Sequence, residues 1–201
     1  MNWLFIVIEW IDGCGKDTQA DLLKKDFWFH KTRLPFYDNY TWKIVKSCIN
    51  EGKNINEESF QLLMASNYIE HLKKEIHPII STWESVVCTR YTPSMEAYAN
   101  AFDVNPQFIF QLESSVEYLY NYYLWATHVI KIYLKISPED SMKRIKERAK
   151  GKQKIESIFE NLDTLRKVSQ SYDSMFWDLT IDATKDIDVI HNEIVTFLKI
   201  K

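Results

Sequence analysis

Leu4-Phe5-Ile6-Val7-Ile8-Glu9-Trp10-Ile11-Asp12-Gly13-Cys14-Gly15-Lys16-Asp17-Thr18 is the stretch on which the fold turns. Residues 4–8 form an unbroken apolar run of the kind found in a strand buried on both faces, as in a parallel sheet. Two glycines and a lysine follow, then a helical stretch from about Lys16 to Lys25. There Ala20, Leu22 and Leu23 alternate with Asp21, Lys24 and Lys25. Strand, glycine-containing turn, lysine and helix in this order describe a phosphate-binding loop. Such a loop points backbone N–H groups at phosphate oxygens, beside the positive end of a helix. Gly13 and Gly15 permit that backbone, and Lys16 has the reach and charge for β- and γ-phosphates. The next position ordinarily offers a Ser or Thr hydroxyl to Mg²⁺. Here it is Asp17, an oxygen ligand that adds negative charge, with Thr18 after it. The bland alternative is a strand–helix turn with an incidental lysine.

Working outward, a short strand near Lys31 to Leu34 ends at Pro35. Glu57 to Ile76 reads as a long amphipathic helix stopped by His77-Pro78. Further strands are expected at Ser85–Cys88, Val129–Leu134 and Leu179–Ile181. Helices are expected over residues 106–124, from about Ser137, up to about Met175, and over Asp188–Ile200. Strands alternating with helices predict an α/β fold. Its form is three layers with a five-stranded parallel sheet, helices on both faces and a short lid at about residues 146–158. One domain over residues 1–201 is expected from the length.

The bulk numbers narrow the function. A net charge of −3 argues against a surface that coats nucleic acid. No apolar stretch approaches the ~20 residues of a membrane span. Cys14, Cys48 and Cys88 lack metal-ligand spacing and read as reduced thiols of a cytoplasmic protein.

The whole chain, in order, resembles the thymidylate kinase family. Phe5 to Thr18 matches that family's Glu-Gly-x-Asp/Glu-Gly-x-Gly-Lys-x-Thr opening except at Trp10. Arg33-Leu34-Pro35 matches its Arg-x-Pro segment. Trp42 to Lys46 matches Gly-x-x-(Ile/Val)-(Arg/Lys) with Trp for Gly. Leu63 to Tyr68 stands where the family has Leu-Phe-Ala-x-x-Arg. Trp83 to Tyr98 matches Gly-x-x-Val-x-x-Asp-Arg-Tyr-x-x-Ser-x-x-Ala-Tyr, with Trp83 for Gly and Thr89 for Asp. Ile132 to Glu139, Phe159-Glu160, Val168 to Tyr172 and Ile181-Asp182-Ala183 resemble later family segments.

The resemblance implies transfer of the ATP γ-phosphoryl group to dTMP, with Mg²⁺, for dTTP synthesis. It implies ATP binding by Asp12, Gly13, Cys14, Gly15, Lys16, Asp17 and Thr18, with Asp17 and Thr18 at the metal. It implies dTMP binding by Glu9, Arg33, Lys46, Met64, Tyr68, Arg90, Ser94 and Tyr98. Catalysis would fall to Lys16, Asp12, Arg90 and Arg148, with Lys150, Lys152 or Lys154 as other lid cations. A homodimer and nucleotide partners, with neither nucleic acid nor membrane, are expected with it. The departures at Met64, Tyr68, Thr89 and Ala99 leave base specificity less secure than phosphoryl transfer. Two other readings stay open: a kinase of another (deoxy)nucleoside monophosphate, and a catalytically impaired nucleotide-binding protein.

Composition carries one further signal. The chain has 7 tryptophans and 4 glycines, where average usage of roughly 7% would supply about fourteen glycines. Trp10, Trp42 and Trp83 fall on family glycine positions, and Trp28 sits where a helix C-cap glycine is expected. A UGA codon read as glycine by the cell, but translated with a table that reads it as tryptophan, produces this pattern.

Overall fold

A computed structural model describes residues 3–51, 55–124, 129–149 and 161–199. Five strands form one sheet: β1 (Phe5–Glu9), β2 (His30–Arg33), β3 (Val86–Thr89), β4 (Val129–Lys135) and β5 (Leu179–Asp182). All pairings are parallel and the order is β2-β3-β1-β4-β5. The apolar run that opens the chain is therefore the central strand, with Ile8 beside Thr89 on one side and Ile132 on the other. The expected α/β architecture is the one observed.

The period of two along β1 divides the core. Phe5 and Val7 face one layer, where helices α3 (Glu57–His71) and α6 (Pro106–Leu124) contribute Ala65, Tyr68, Val116 and Tyr120. Ile6 and Ile8 face the other. There α1 (Lys16–Phe27), α8 (Leu162–Asp173) and α9 (Ile187–Leu198) contribute Leu23, Val168, Tyr172 and Ile194. Helix α5 (Thr92–Ala101) bridges the layers, with Met95 in one cluster and Ala97 in the other.

Three elements depart from the expected pattern. Helix α2 (Tyr40–Glu51) and α5 form where no helix was expected. The helix expected to stop at His77-Pro78 instead passes through a π-helical turn at Leu72–Ile76 into α4 (His77–Ser81). Pro78 lies in the first turn of α4, where its missing N–H and fixed φ cost little. Helix α7 (Pro138–Ala149) runs into the expected lid. Residues 150–160, which hold most of that lid with Lys150, Lys152, Lys154 and Phe159-Glu160, lie outside the described residues.

Candidate functional site

The site lies at the carboxyl ends of β1, β2 and β3, where open parallel sheets place their ligand crevices. Between β1 and α1 the chain turns through Gly13 (φ 90°) and Gly15 (φ 99°). A side chain at Gly13 would meet the Ser141 backbone oxygen at 2.9 Å, so this position admits only glycine. The Ser141 hydroxyl also donates to the Asp12 carbonyl and ties the turn to α7.

Asp12 is the electrostatic centre. Its Oδ1 accepts from Lys16 Nζ at 2.9 Å and from Arg90 Nη2 at 2.9 Å. Burial would raise the Asp12 carboxyl, but the Lys16 and Arg90 charges outweigh it and hold it well below the usual carboxylate range. Burial likewise opposes the charge on Lys16, and Asp12 more than restores it. Arg90 follows the end of β3 with φ 75°, an uncommon backbone for a non-glycine residue and a form of strain found at functional sites. Its guanidinium donates to the Tyr98 hydroxyl at 3.2 Å and lies 5.1 Å from that ring's centroid.

Glu9, at the end of β1, is fully buried. It accepts from the Tyr91 backbone N–H at 2.5 Å, the Ser94 hydroxyl at 2.7 Å and the Tyr172 hydroxyl at 2.9 Å. Burial pushes its carboxyl up against these contacts. Glu9 thus joins β1 to α5 and α8 and is not among the residues lining the cavity described next.

A cavity of about 430 Å³ opens beside this centre, in the range of small-molecule sites. Asp12, Asp17, Arg33, Met64, Tyr68, Arg90, Ser94 and Tyr98 all line it. Arg33, at the end of β2, stacks at 4.9 Å over Tyr37. The Tyr68 hydroxyl donates to the Tyr91 carbonyl at 3.3 Å. Thr89, one residue before Arg90, donates from Oγ1 to Asp17 Oδ1 at 3.3 Å. Hydroxyl and carboxylate oxygen at this spot form a donor set that suits Mg²⁺. Cys14 is buried in the turn, and Thr18 is exposed on α1. Lys46 is exposed on α2 and is not among the residues lining the cavity. The Arg148 side chain lies outside the described residues.

Gln61, Phe60, Met95, Ile49, Tyr37 and Trp42 also line the cavity and escaped the sequence reading. Gln61 had a usable signal. It stands three and seven residues before Met64 and Tyr68, on the same helical stripe.

Comparison with known proteins agrees with this geometry. The family model for thymidylate kinase matches residues 8–194. A probable thymidylate kinase of Methanocaldococcus jannaschii is 30% identical over 206 residues, covering 98% of this chain and 96% of that protein. One from Pyrococcus horikoshii is 31% identical over 215 residues, covering 99% and 97%. One from Methanococcus aeolicus is 30% identical over 201 residues, covering 95% and 93%. With a glycine-containing turn after the central strand, two arginines at strand ends and a match that runs nearly end to end, the chain belongs to the thymidylate kinase family.

Proposed function

We propose that this enzyme transfers the γ-phosphoryl group of ATP to dTMP, giving ADP and dTDP. The bond between the γ-phosphorus and the β–γ bridging oxygen breaks, and a bond to an acceptor phosphate oxygen forms. The observation that carries this reading is the convergence of Lys16, Arg90 and Arg33 on one crevice, with Asp12 bonded to both Lys16 and Arg90. Phosphoryl transfer is mainly positioning and charge stabilisation. Lys16 and the loop amides suit the ATP phosphates, and Asp12 keeps both neighbouring cations charged and aimed. Arg33 and Arg90 suit the acceptor phosphate, since a guanidinium fork matches paired oxygens. Tyr98 would pack against the deoxyribose. Asp17 and Thr18 are the proposed Mg²⁺ contacts, and the ion would offset charge on the transferring group. Arg148 is proposed to reach that group.

A kinase acting on another monophosphate is the second reading, favoured by Met64 and Tyr68 at the base end. The test is ADP release with a panel of monophosphates. Lys16→Ala is expected to lower kcat by at least about 10²- to 10³-fold, the scale of losing one preorganised charge contact. Near-normal turnover would overturn the phosphate-loop assignment. For the proposed homodimer, Phe110, Tyr118 and Tyr122 on α6 are large, exposed apolar groups, and light scattering reads the mass directly.

We also propose that the native chain carries glycine at its tryptophan positions through UGA recoding. Supporting this, Trp10 (φ 153°), Trp28 (φ 62°) and Trp83 (φ 67°) adopt backbone that L side chains rarely adopt. Trp28 caps α1 in the left-handed form, its N–H donating to the Lys24 carbonyl at 3.1 Å, a position glycine usually fills. The Trp10 indole Nε1 is buried with no partner among the described residues. UGG codons at positions 10, 42 and 83 would overturn the proposal, as would an intact mass with every tryptophan present.

A further inference from the structure

We infer that Gln61 reads the hydrogen-bonding edge of the acceptor base. The inference rests on the nucleotide-kinase reading of the crevice. Gln61 is only 5% exposed and lines the cavity, yet its carboxamide has no hydrogen-bond partner among the described residues. Buried polar side chains are paired in the large majority of cases, and an unpaired one facing a cavity calls for a partner that the cavity supplies.

Its position along α3 fits that role. Met64 and Tyr68 stand at the proposed base end of the crevice, Tyr68 fastened there by its bond to the Tyr91 carbonyl. Gln61 lies three residues before Met64 on the same stripe, about 4.5 Å along the axis at 1.5 Å per residue. A monophosphate whose phosphate meets Arg33 and Arg90 would extend its sugar and then its base toward Gln61.

Elimination points the same way. Tyr68 has its hydroxyl committed to Tyr91, and Ser94 has its own committed to Glu9 and Tyr172. Phe60, Met64 and Met95 present apolar surface. Among the described lining residues, Gln61 is the nearly buried one that offers both a donor and an acceptor with no protein partner; the Tyr37 hydroxyl offers both as well, but Tyr37 is 43% exposed. A carboxamide pairs with two adjacent base atoms, its oxygen accepting from thymine N3–H and its N–H₂ donating to a neighbouring carbonyl. A base lacking that pattern would leave the buried amide unpaired, which is the more costly outcome.

The experiment compares wild type, Gln61→Leu and Gln61→Met with three acceptors: dTMP, N3-methyl-dTMP and 2-deoxyribose 5-phosphate. Thermal melts confirm that each variant folds. Both variants are expected to raise KM for dTMP about 10- to 100-fold. They should change little with the other two probes, so the preference of wild type for dTMP over N3-methyl-dTMP collapses. An unchanged KM for dTMP, or an equal loss with all three probes, overturns the inference. Calorimetric binding of the same probes runs beside the assay. If no acceptor is turned over but dTMP binding still depends on Gln61, the kinase reading fails and the base contact stands. If wild type binds dTMP and N3-methyl-dTMP equally, the base contact fails whatever the turnover.

Discussion

Trp28 and Trp83 show how much a single backbone angle decides at the residue scale. Both are largely exposed, at 89% and 72%, so neither indole is recovered by burial. Both have left-handed φ, which costs an L residue roughly 1–2 kcal/mol and glycine nothing. Trp28→Gly is therefore expected to raise unfolding free energy by about 1 kcal/mol, read as a higher urea midpoint at constant slope. Trp83→Gly should gain less, because the Trp3 ring packs edge-on against Trp83 with centroids 4.2 Å apart. A fall in stability for Trp28→Gly would show that the indole is used. At Gly13 the logic is steric, since the Ser141 carbonyl leaves no room for a Cβ. Trp10 and Trp83 were marked by their places in the family motifs and Trp28 by its place at the end of a helix, where a capping glycine is expected. The left-handed φ of Arg90 was not, because nothing in Thr89-Arg90-Tyr91 encodes it.

Packing between α5 and α6 sets an electrostatic property that neither helix has alone. Burial, with Glu96 and Glu117 nearby, pushes the Glu113 carboxyl up to about 8. A carboxyl with a folded value above its unfolded one binds its proton more tightly when folded. Its stabilising contribution is complete below the ordinary glutamate range and is lost as pH rises through about 8. Wild type should accordingly melt at a lower temperature at pH 8.5 than at pH 5.5. The substitution Glu113→Gln should flatten that slope and raise the melting temperature at pH 8.5; an unchanged slope would sink the assignment. The strands and α1, α3 and α6 were readable because apolar runs and long periodic stripes repeat over enough residues. Helices α2 and α5 were not read from the sequence, and a proline such as Pro93 ordinarily interrupts a helix. In fact Pro93 sits in the first turn of α5, where proline is favoured. The π-helical turn before Pro78 was likewise beyond pattern reading, since it is a local adjustment that tertiary packing selects.

The molecule as a whole unites residues from several separate segments around one crevice, so occupancy of that crevice should stabilise the entire fold. A non-hydrolysable ATP analogue with dTMP, each at about 100 times its Kd, should add roughly 2.7 kcal/mol per ligand. Differential scanning fluorimetry would show this as a concentration-dependent rise. No shift with either nucleotide would count against the nucleotide site. By itself the sequence determined the central strand, the glycine-containing turn after it, the parallel α/β class and the family, because each is written in contiguous residues whose period and spacing have one physical reading. Only the tertiary structure decided that Asp12 bridges Lys16 and Arg90, that Thr89 meets Asp17, that Lys46 is not among the residues lining the cavity and that Gln61 lines it with no partner among the described residues. Those facts depend on which strand ends and helix faces converge, and the β2-β3-β1 order that brings residues 12, 33, 61 and 90 together is a property of sheet packing rather than of any local stretch of chain.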